Sequence, residues 1–312
     1  MKALLFIETD GKKALGGSLE LISAAKALNA EGTALIVGTR DAADTAAELG
    51  APAIFIDAAT DFDTLTEVIS ETVKEQNPDI VLLANTALAK DIAPRVAGRA
   101  DLGIVSDVIG ISDNDGKIIY TRPAYGGTVL EHIEVDGKAI VTIRNGSFPK
   151  PEPASNAGVT EKKLELPADA VKAKIIDTVK EISESVNLEE AQVIVSGGRG
   201  LGSAENFKLV EELANVLDGV VGATRPVIEE GWISRAHQVG QSGKIVAPKL
   251  YIACGLSGAT QHTSGMSGSN YVVAINKDEE APIFEIADVA IVGNVLDILP
   301  VMIEELKKVK AN

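Results

Sequence analysis

Four short stretches in the C-terminal third of the chain carry residue types that could do chemistry. The stretch "GLSGATQHTSGM", residues 255–266, sets His262 among Gly255, Ser257, Gly258, Thr260, Thr263, Ser264 and Gly265, in a chain with only three histidines. Glycines and hydroxyls fill a core poorly, so this reads as a loop that brings backbone and hydroxyl groups to something polar. "SGGRGLG", 196–202, leaves an apolar run and enters a helical one. Amides at a helix start form an anion site, and the Arg199 guanidinium between them suits a phosphate. The spacing is not the dinucleotide fingerprint GxGxxG, because Ser203 holds the third position. A tight turn between strand and helix is the plainer reading of the same residues. "VGQSGKIV", 239–246, has the outline of a phosphate-binding loop and fails it. Gln238 stands where the first glycine belongs, and Ile245 where Ser or Thr must follow the lysine. What is left is a glycine-bracketed loop exposing Gln241 and Ser242. In "ATRPVIEEGW", 223–232, Arg225 follows Thr224 and precedes a proline, where a solvated arginine is the ordinary case.

A hydrolytic alternative has to be weighed. "CGLSGA", 254–259, is close to the GxSxG turn that presents a nucleophilic serine, here Ser257. Such a serine needs a separately placed acid–histidine pair. The only later histidine is His262, close by on the same loop. A nucleotide- or NAD-binding regulatory module is the second alternative.

The elements that would position these loops follow from hydrophobic periodicity. Strands "ALLFIE", "ALIVG", "AIFID" and "DIVLLA" alternate with helices "SLELISAAKALNA", "DAADTAAELGA", "DTLTEVISETVKEQ" and "LAKDIAPRVAGRA". That alternation implies a parallel sheet with helices on both faces. From about residue 103 the pattern turns to closely spaced strands, "GIVSDVIGI", "KIIYTRPAY", "TVLEHIEV" and "KAIVTIR", read as an antiparallel addition to the first layer. "GSFPKPEPASNAGVT", with Pro149, Pro151 and Pro153, reads as a linker. A second alternating unit follows. It has strands "AQVIVSGG", "KLYIACG", "YVVAINK" and "VAIVG", and helices "SAENFKLVEELANVLDG" and "LDILPVMIEELKKVK". The expected fold is α/β with two doubly wound domains, residues 1–186 and a smaller 187–312. Ligands of such sheets bind outside the carboxyl ends of the strands. The "SGGRG", "CGLSGATQH", "AINKD" and "IVGN" segments all follow strands, so they are expected to converge on one edge able to hold an elongated, anionic, heteroaromatic ligand such as a dinucleotide.

Composition narrows the partners. The chain has 312 residues, 46% of them hydrophobic and 24% charged, with a net charge of −16. That balance repels a phosphate backbone and an anionic membrane surface, so no nucleic acid and no membrane embedding are expected. A single cysteine, Cys254, cannot form an internal disulfide, and no Cys/His spacing suits zinc. No apolar run reaches membrane-spanning length, and "MKALLFIETD" reads as a first strand, not a signal core. A cytoplasmic location is expected.

Taken as longer stretches, these residues resemble the α subunit of electron transfer flavoproteins. "LYIACGLSGATQHTSGM" with "VVAINKDEEAPIFEIADVAIVGN" carries the resemblance most specifically. "VIVSGGRGLGSAENF", "VGATRPVIEEGWISRAHQVGQSGKIVAPKLY", "KDIAPRVAGRADLGIVSDVIGI" and "RPAYGGTVLEHI" extend it over nearly the whole chain. The resemblance implies FAD bound in an extended pose by the C-terminal domain, and an N-terminal domain that meets a β subunit. It also implies electrons received from a flavin dehydrogenase donor, such as an acyl-CoA dehydrogenase, and passed to a redox acceptor protein. Both a simple shuttle and an electron-bifurcating complex stay open. By motif, the FAD would be lined by Arg199, Thr224, Arg225, Val239, Gly240, Gln241 and Ser242. Ser257, Gly258, Ala259, Thr260, Gln261, His262, Asn276 and Asn294 would complete the site. Arg225 would lie over the isoalloxazine ring, Ser242 would bond flavin N5, and His262 would donate to the N1–C2=O edge. Two positions depart from the family's commoner residues: Ser242 stands for threonine, and Asn294 for aspartate. The serine keeps the hydroxyl and loses the methyl that restricts its rotamer. The asparagine keeps an acceptor and loses the charge.

Overall fold

The structure is a computed structural model, and it describes residues 1–114, 116–152, 158–167, 170–173, 176 and 187–311. The chain divides into two compact units, one of Met1–Ala124 with Val129–Val179, the other of Lys180–Asn312 with the turn Tyr125–Thr128. The expected boundary at 186 and linker residues 153–157 lie outside the described residues.

The first unit runs β1 (Lys2–Ile7), α1 (Gly16–Ala27), β2 (Glu31–Gly38), β3 (Ala53–Asp57), α2 (Phe62–Gln76), β4 (Ile80–Ala84) and α3 (Ala87–Ala100). Then come β5 (Gly103–Val108), β6 (Gly110–Asn114), β7 (Lys117–Ala124), β8 (Val129–Glu134), β9 (Ala139–Ile143) and β10 (Val159–Lys162). Seven strands form a parallel sheet in the order β10-β3-β2-β1-β4-β9-β5. Alternate residues of β1 face opposite cores. Leu5 and Ile7 pack with Leu21 and Ile22 of α1, while Leu4 and Phe6 pack with Leu65, Val68 and Ile92 of α2 and α3. Burial on both faces is why these strands are continuously apolar. Helix boundaries have local causes. Asp61 caps α2 by accepting from the Thr64 amide, and Thr86 caps α3 by accepting from the Ala89 amide.

Several expectations need correction. The segment Arg40–Glu48 is a 3-10 helix, not an α-helix. Its Asp and Thr side chains favour local alternatives to the α-helical ladder, and Thr45 spends its hydroxyl on the Lys12 carbonyl. Val159 and Thr160, assigned to the linker, begin β10 and pair with β3, as a β-branched pair favours. The antiparallel addition is narrower than expected. Only β6, β7 and β8 are antiparallel, in a separate sheet, while β5 and β9 join the parallel one. The run "GIVSDVIGI" breaks because Asp107 takes a left-handed φ of 64° at the bulge between Val105 and Val108. Arg144 grips that residue with both arms, Nε to Oδ1 at 2.9 Å and Nη2 to Oδ2 at 2.5 Å. Thr142 Oγ1 accepts from the Asp107 amide at 2.9 Å.

The second unit contains β11 (Val193–Gly197), α4 (Lys208–Val216), β12 (Val220–Ala223), α5 (Arg225–Glu229), β13 (Leu250–Cys254), α6 (Thr260–Thr263), β14 (Val272–Asn276), β15 (Val289–Val292) and α7 (Val295–Ala311). Its five strands are parallel, in the order β12-β11-β13-β14-β15. The chain starts at β11, builds β12 on one side and returns to β13 on the other, so the switch of direction falls between β11 and β13. Helix α4 starts later than the expected Ser203. Ser203 Oγ accepts from the Asn206 amide, and Asn206 Nδ2 donates to the Leu201 carbonyl, which holds a turn there instead. Phe207, Val210 and Leu213 then join Leu299 and Ile303 of α7 in one core, with Tyr251, Val239, Val246 and Met266 in the other. Among the described residues no helix is long and apolar enough to cross a membrane.

The Asp107–Arg144 pair tests this account of the first unit. Arg144 is 11% exposed and Asp107 26%. Asp107→Ala leaves the guanidinium half-buried and unpaired, and the left-handed bend without its tie. It is expected to cost about 3 kcal/mol in urea unfolding, whereas Arg40→Ala, whose Glu161 partner is surface-exposed, should cost under about 1 kcal/mol.

Candidate functional site

The loops leaving β11, β12, β13 and β14 surround a cavity of about 730 Å³, together with the segment 238–242. This is the carboxyl end of the sheet around its switch point, and the volume is of the size that holds a cofactor. Of the residues picked from the sequence, Arg199, Thr224, Arg225, Val239, Gly240, Gln241, Ser242, Ser257, Gly258, Ala259, Gln261, His262 and Asn276 line it. Thr260 and Asn294 do not. Asn294 instead caps α7, its Oδ1 accepting from the Leu296 amide at 3.2 Å. It follows the edge strand β15, separated from β13 by β14, so the "IVGN" turn does not reach the cavity wall.

The glycines are explained by backbone lying on backbone. Gly240 has φ 136°, and a Cβ there would stand 2.7 Å from the Gln261 carbonyl. Gly258 has φ 80°, and a Cβ would stand 2.3 Å from the Ile283 nitrogen. Side chains at either place would pry apart the loops that make the wall. Direct bonds fasten the same loops. The Gln241 amide donates to the Gln261 carbonyl at 2.7 Å, and Asn276 Nδ2 donates to the Leu256 carbonyl at 2.9 Å.

His262 is 7% exposed and holds two walls together. Its Nδ1 lies 3.1 Å from the Val239 carbonyl, and its Nε2 lies 2.9 Å from the Tyr251 hydroxyl. A carbonyl only accepts, so Nδ1 carries the hydrogen and Nε2 accepts from tyrosine. Neither nitrogen keeps a hydrogen to give away. The expectation of an imidazole donor aimed at a ligand therefore does not follow from this arrangement, in which the ring is a neutral structural tie. Burial lowers its pKa to about 4. Since both nitrogens are spent on Tyr251 and Val239, His262 is no general base for Ser257, and the hydrolytic alternative loses its base. Cys254, the last residue of β13, is fully buried, and burial pushes its thiol up to about 12.

What faces the cavity suits an anion with an aromatic part. Among the described residues the amides of Ser257, Gly258 and Ala259 meet no backbone acceptor, and Arg199 stands exposed on the opposite loop. Arg225 pairs with Glu229 at 2.7 Å with 65% of its side chain exposed, a weak tie that leaves the guanidinium available. Unspent amides and two arginines match a pyrophosphate, so the wall fits a dinucleotide cofactor. No cluster able to hold a metal ion is present among the described residues.

Comparison with known proteins agrees. Residues 3–170 match the electron transfer flavoprotein domain, and residues 187–267 match the electron transfer flavoprotein FAD-binding domain. The chain belongs to the electron transfer flavoprotein α-subunit family. It is 38% identical to the α subunit of Mycobacterium leprae, with 98% of each chain covered. It is 35% identical to that of Syntrophomonas wolfei, over 97% of this chain and 98% of the other. Against the α subunit of Thermoanaerobacterium thermosaccharolyticum it is 45% identical, over 78% of this chain and 76% of the other. Residues 187–267, which carry most of the cavity wall, are thus the FAD-binding domain of an electron transfer flavoprotein.

In this flavoprotein domain the cavity has further lining residues that the sequence did not single out, among them Gln238, Leu256, Lys277, Asp278 and Pro282. Lys277 and Asp278 belong to the "AINKD" segment expected at this edge, though neither is among the site residues picked from the sequence. Gln238 gave no such signal, because glutamine is usually exposed and here it is only 4% so.

The buried imidazole makes a pH-dependent contribution to stability. The unfolded chain binds a proton on His262 near pH 6.5, while the folded one does so only near pH 4. The stabilising difference is full above pH 6.5 and is lost as pH falls from 6.5 to 4, amounting to about 3 kcal/mol at most. Urea unfolding followed by Trp232 fluorescence is expected to show wild type losing more stability than His262→Gln between pH 7 and pH 5.

Proposed function

We propose that this chain is the FAD-carrying α subunit of a heterodimeric electron transfer flavoprotein, which takes electrons from a flavin dehydrogenase and hands them to a separate redox acceptor protein. The observation that carries the reading is the cavity at the switch point of the second sheet, ringed by the residues that the family resemblance assigns to FAD. Bound FAD supplies a centre that takes up and releases electrons. The chain's own residues bind and tune it. Arg199 and the amides at 257–259 hold the anionic phosphates. Asn276 fixes the 256 loop through its amide. Arg225 places a positive charge near the ring, which favours the reduced, more negative forms. The acyl-CoA dehydrogenases are the donor class we propose, and a β subunit the stable partner.

The first unit is proposed as the surface that meets the β subunit. Ile104 on β5 and Val129 and Leu130 on β8 are exposed apolar residues of this unit, 44%, 45% and 54% accessible, that a partner could cover. A single cysteine, with no disulfide to maintain, supports a cytoplasmic setting.

Purification together with a β subunit tests the reading. A yellow heterodimer with flavin absorption bands is expected, and a colourless one rejects it. The isolated α chain should hold little flavin. Arg225→Ala is expected to lower the two-electron potential of the bound flavin by about 30 mV, a tenfold change in the equilibrium. An unmoved potential would place Arg225 away from the ring.

A further inference from the structure

Gln238 is a buried polar residue without an assigned part in the site. It closes the 3-10 turn Arg235–His237, lies beside Ala223 in a parallel bridge, and is 4% exposed. Its carbonyl accepts from the Lys244 amide at 2.7 Å, which fixes the backbone on either side of the turn at 240–243. Its side-chain Nε2 reaches across that turn and donates to Ser242 Oγ at 2.9 Å. Ser242 itself stands exposed at the tip of the turn and lines the cavity.

The chemistry of this contact has a direction. An amide nitrogen only donates, so the Ser242 oxygen must accept, and its own hydrogen is left over. A serine at an exposed tip otherwise samples three rotamers and can present either its hydrogen or its lone pairs. The buried amide cannot turn away without losing its partner, and an unsatisfied buried donor costs more than the bond itself contributes. Gln238 thus restricts Ser242 in two ways at once: it selects a rotamer, and it selects the polarity of the hydroxyl. That restriction is what a threonine methyl would supply only in part, because a methyl fixes a rotamer and leaves the hydroxyl hydrogen free to rotate.

We propose that Gln238 is a positioning residue of the flavin site, which holds the Ser242 hydroxyl as a hydrogen donor toward the bound isoalloxazine. The inference rests on the FAD reading above and adds to it the residue that sets the donor. Gln238 acts through Ser242 and makes no contact with the cofactor's reacting atoms in this role. Its effect is therefore on the potential and the spectrum of the flavin more than on whether flavin binds.

The experiment is a double-mutant cycle on the heterodimer, with Gln238→Met, Ser242→Ala and the two combined. Methionine keeps the length and burial of glutamine and removes the donor. The readouts are the flavin reduction potential by spectroelectrochemistry, the position of the visible absorption bands and the FAD dissociation constant. The expected result is that Gln238→Met moves the potential and bands in the same direction as Ser242→Ala, raises the dissociation constant by no more than about tenfold, and adds almost nothing once Ser242 is already alanine. Gln238→Asn, which keeps the amide and retracts it by one methylene, serves as the second variant if Gln238→Met does not fold, and is expected to behave alike. Shifts that simply add in the double variant, or a potential and spectrum unmoved in the Gln238 variants, overturn the proposal while leaving the FAD reading intact. A wild-type heterodimer that takes up no FAD overturns the reading beneath it instead.

Discussion

The second unit depends on one imidazole with no free valence. His262 comes from the short helix α6, donates to the segment that carries Val239 and accepts from Tyr251 on β13. Val239, Tyr251 and His262 are thereby held at fixed separation, and with them one side of the cavity. Tyr251 is fully buried, and burial raises its hydroxyl pKa, so it stays a donor. A charged imidazole would reverse the bond to tyrosine, whose oxygen would then have to accept, and would put an ion among apolar neighbours such as Val239 and Met266. The tie works because the ring stays neutral.

Around that tie the wall is made of main chain more than of side chains. Glycines at 240, 258 and 265 allow the strand-end loops to touch, and the loops then offer amides where most proteins would offer side chains. Such a surface is well suited to a long ligand with several acceptors. Its charged side chains are few: the arginines at 199 and 225, which follow β11 and β12, and Lys277 with Asp278 after β14. The arrangement separates two tasks: backbone for holding, side chains for tuning.

Much of this could be read in the sequence, and what could not has a physical cause. Periodicity marks four of the five strands of the second sheet and the glycine loops after them, because parallel strands are apolar throughout and their loops are not, while β12, four residues long with a glycine among them, is too short a run to stand out. The site residues came from motif resemblance, and nearly all of them line one cavity. The topology of residues 103–146 was less legible. Whether "KAIVTIR" pairs with a neighbour in sequence or slips between β4 and β5 is decided by long-range pairing, and the break at Asp107 depends on an arginine far along the chain. The role of His262 is hidden for a related reason: its partners Val239 and Tyr251 lie outside its own loop, on another segment and on β13, so the loop around it suggests a ligand contact where the fold makes an internal one. Gln238 was missed because burial of an amide is a property of packing and not of local pattern.

The placement of Cys254 has a practical side. The chain's only sulfhydryl ends a central strand with no exposed surface, and its high pKa keeps it as the unreactive thiol. Maleimide and iodoacetamide reagents have nothing to attack in the folded protein. One cysteine introduced on the surface of either unit becomes the unique labelling point, so fluorophores or spin labels can be attached without first deleting a native residue.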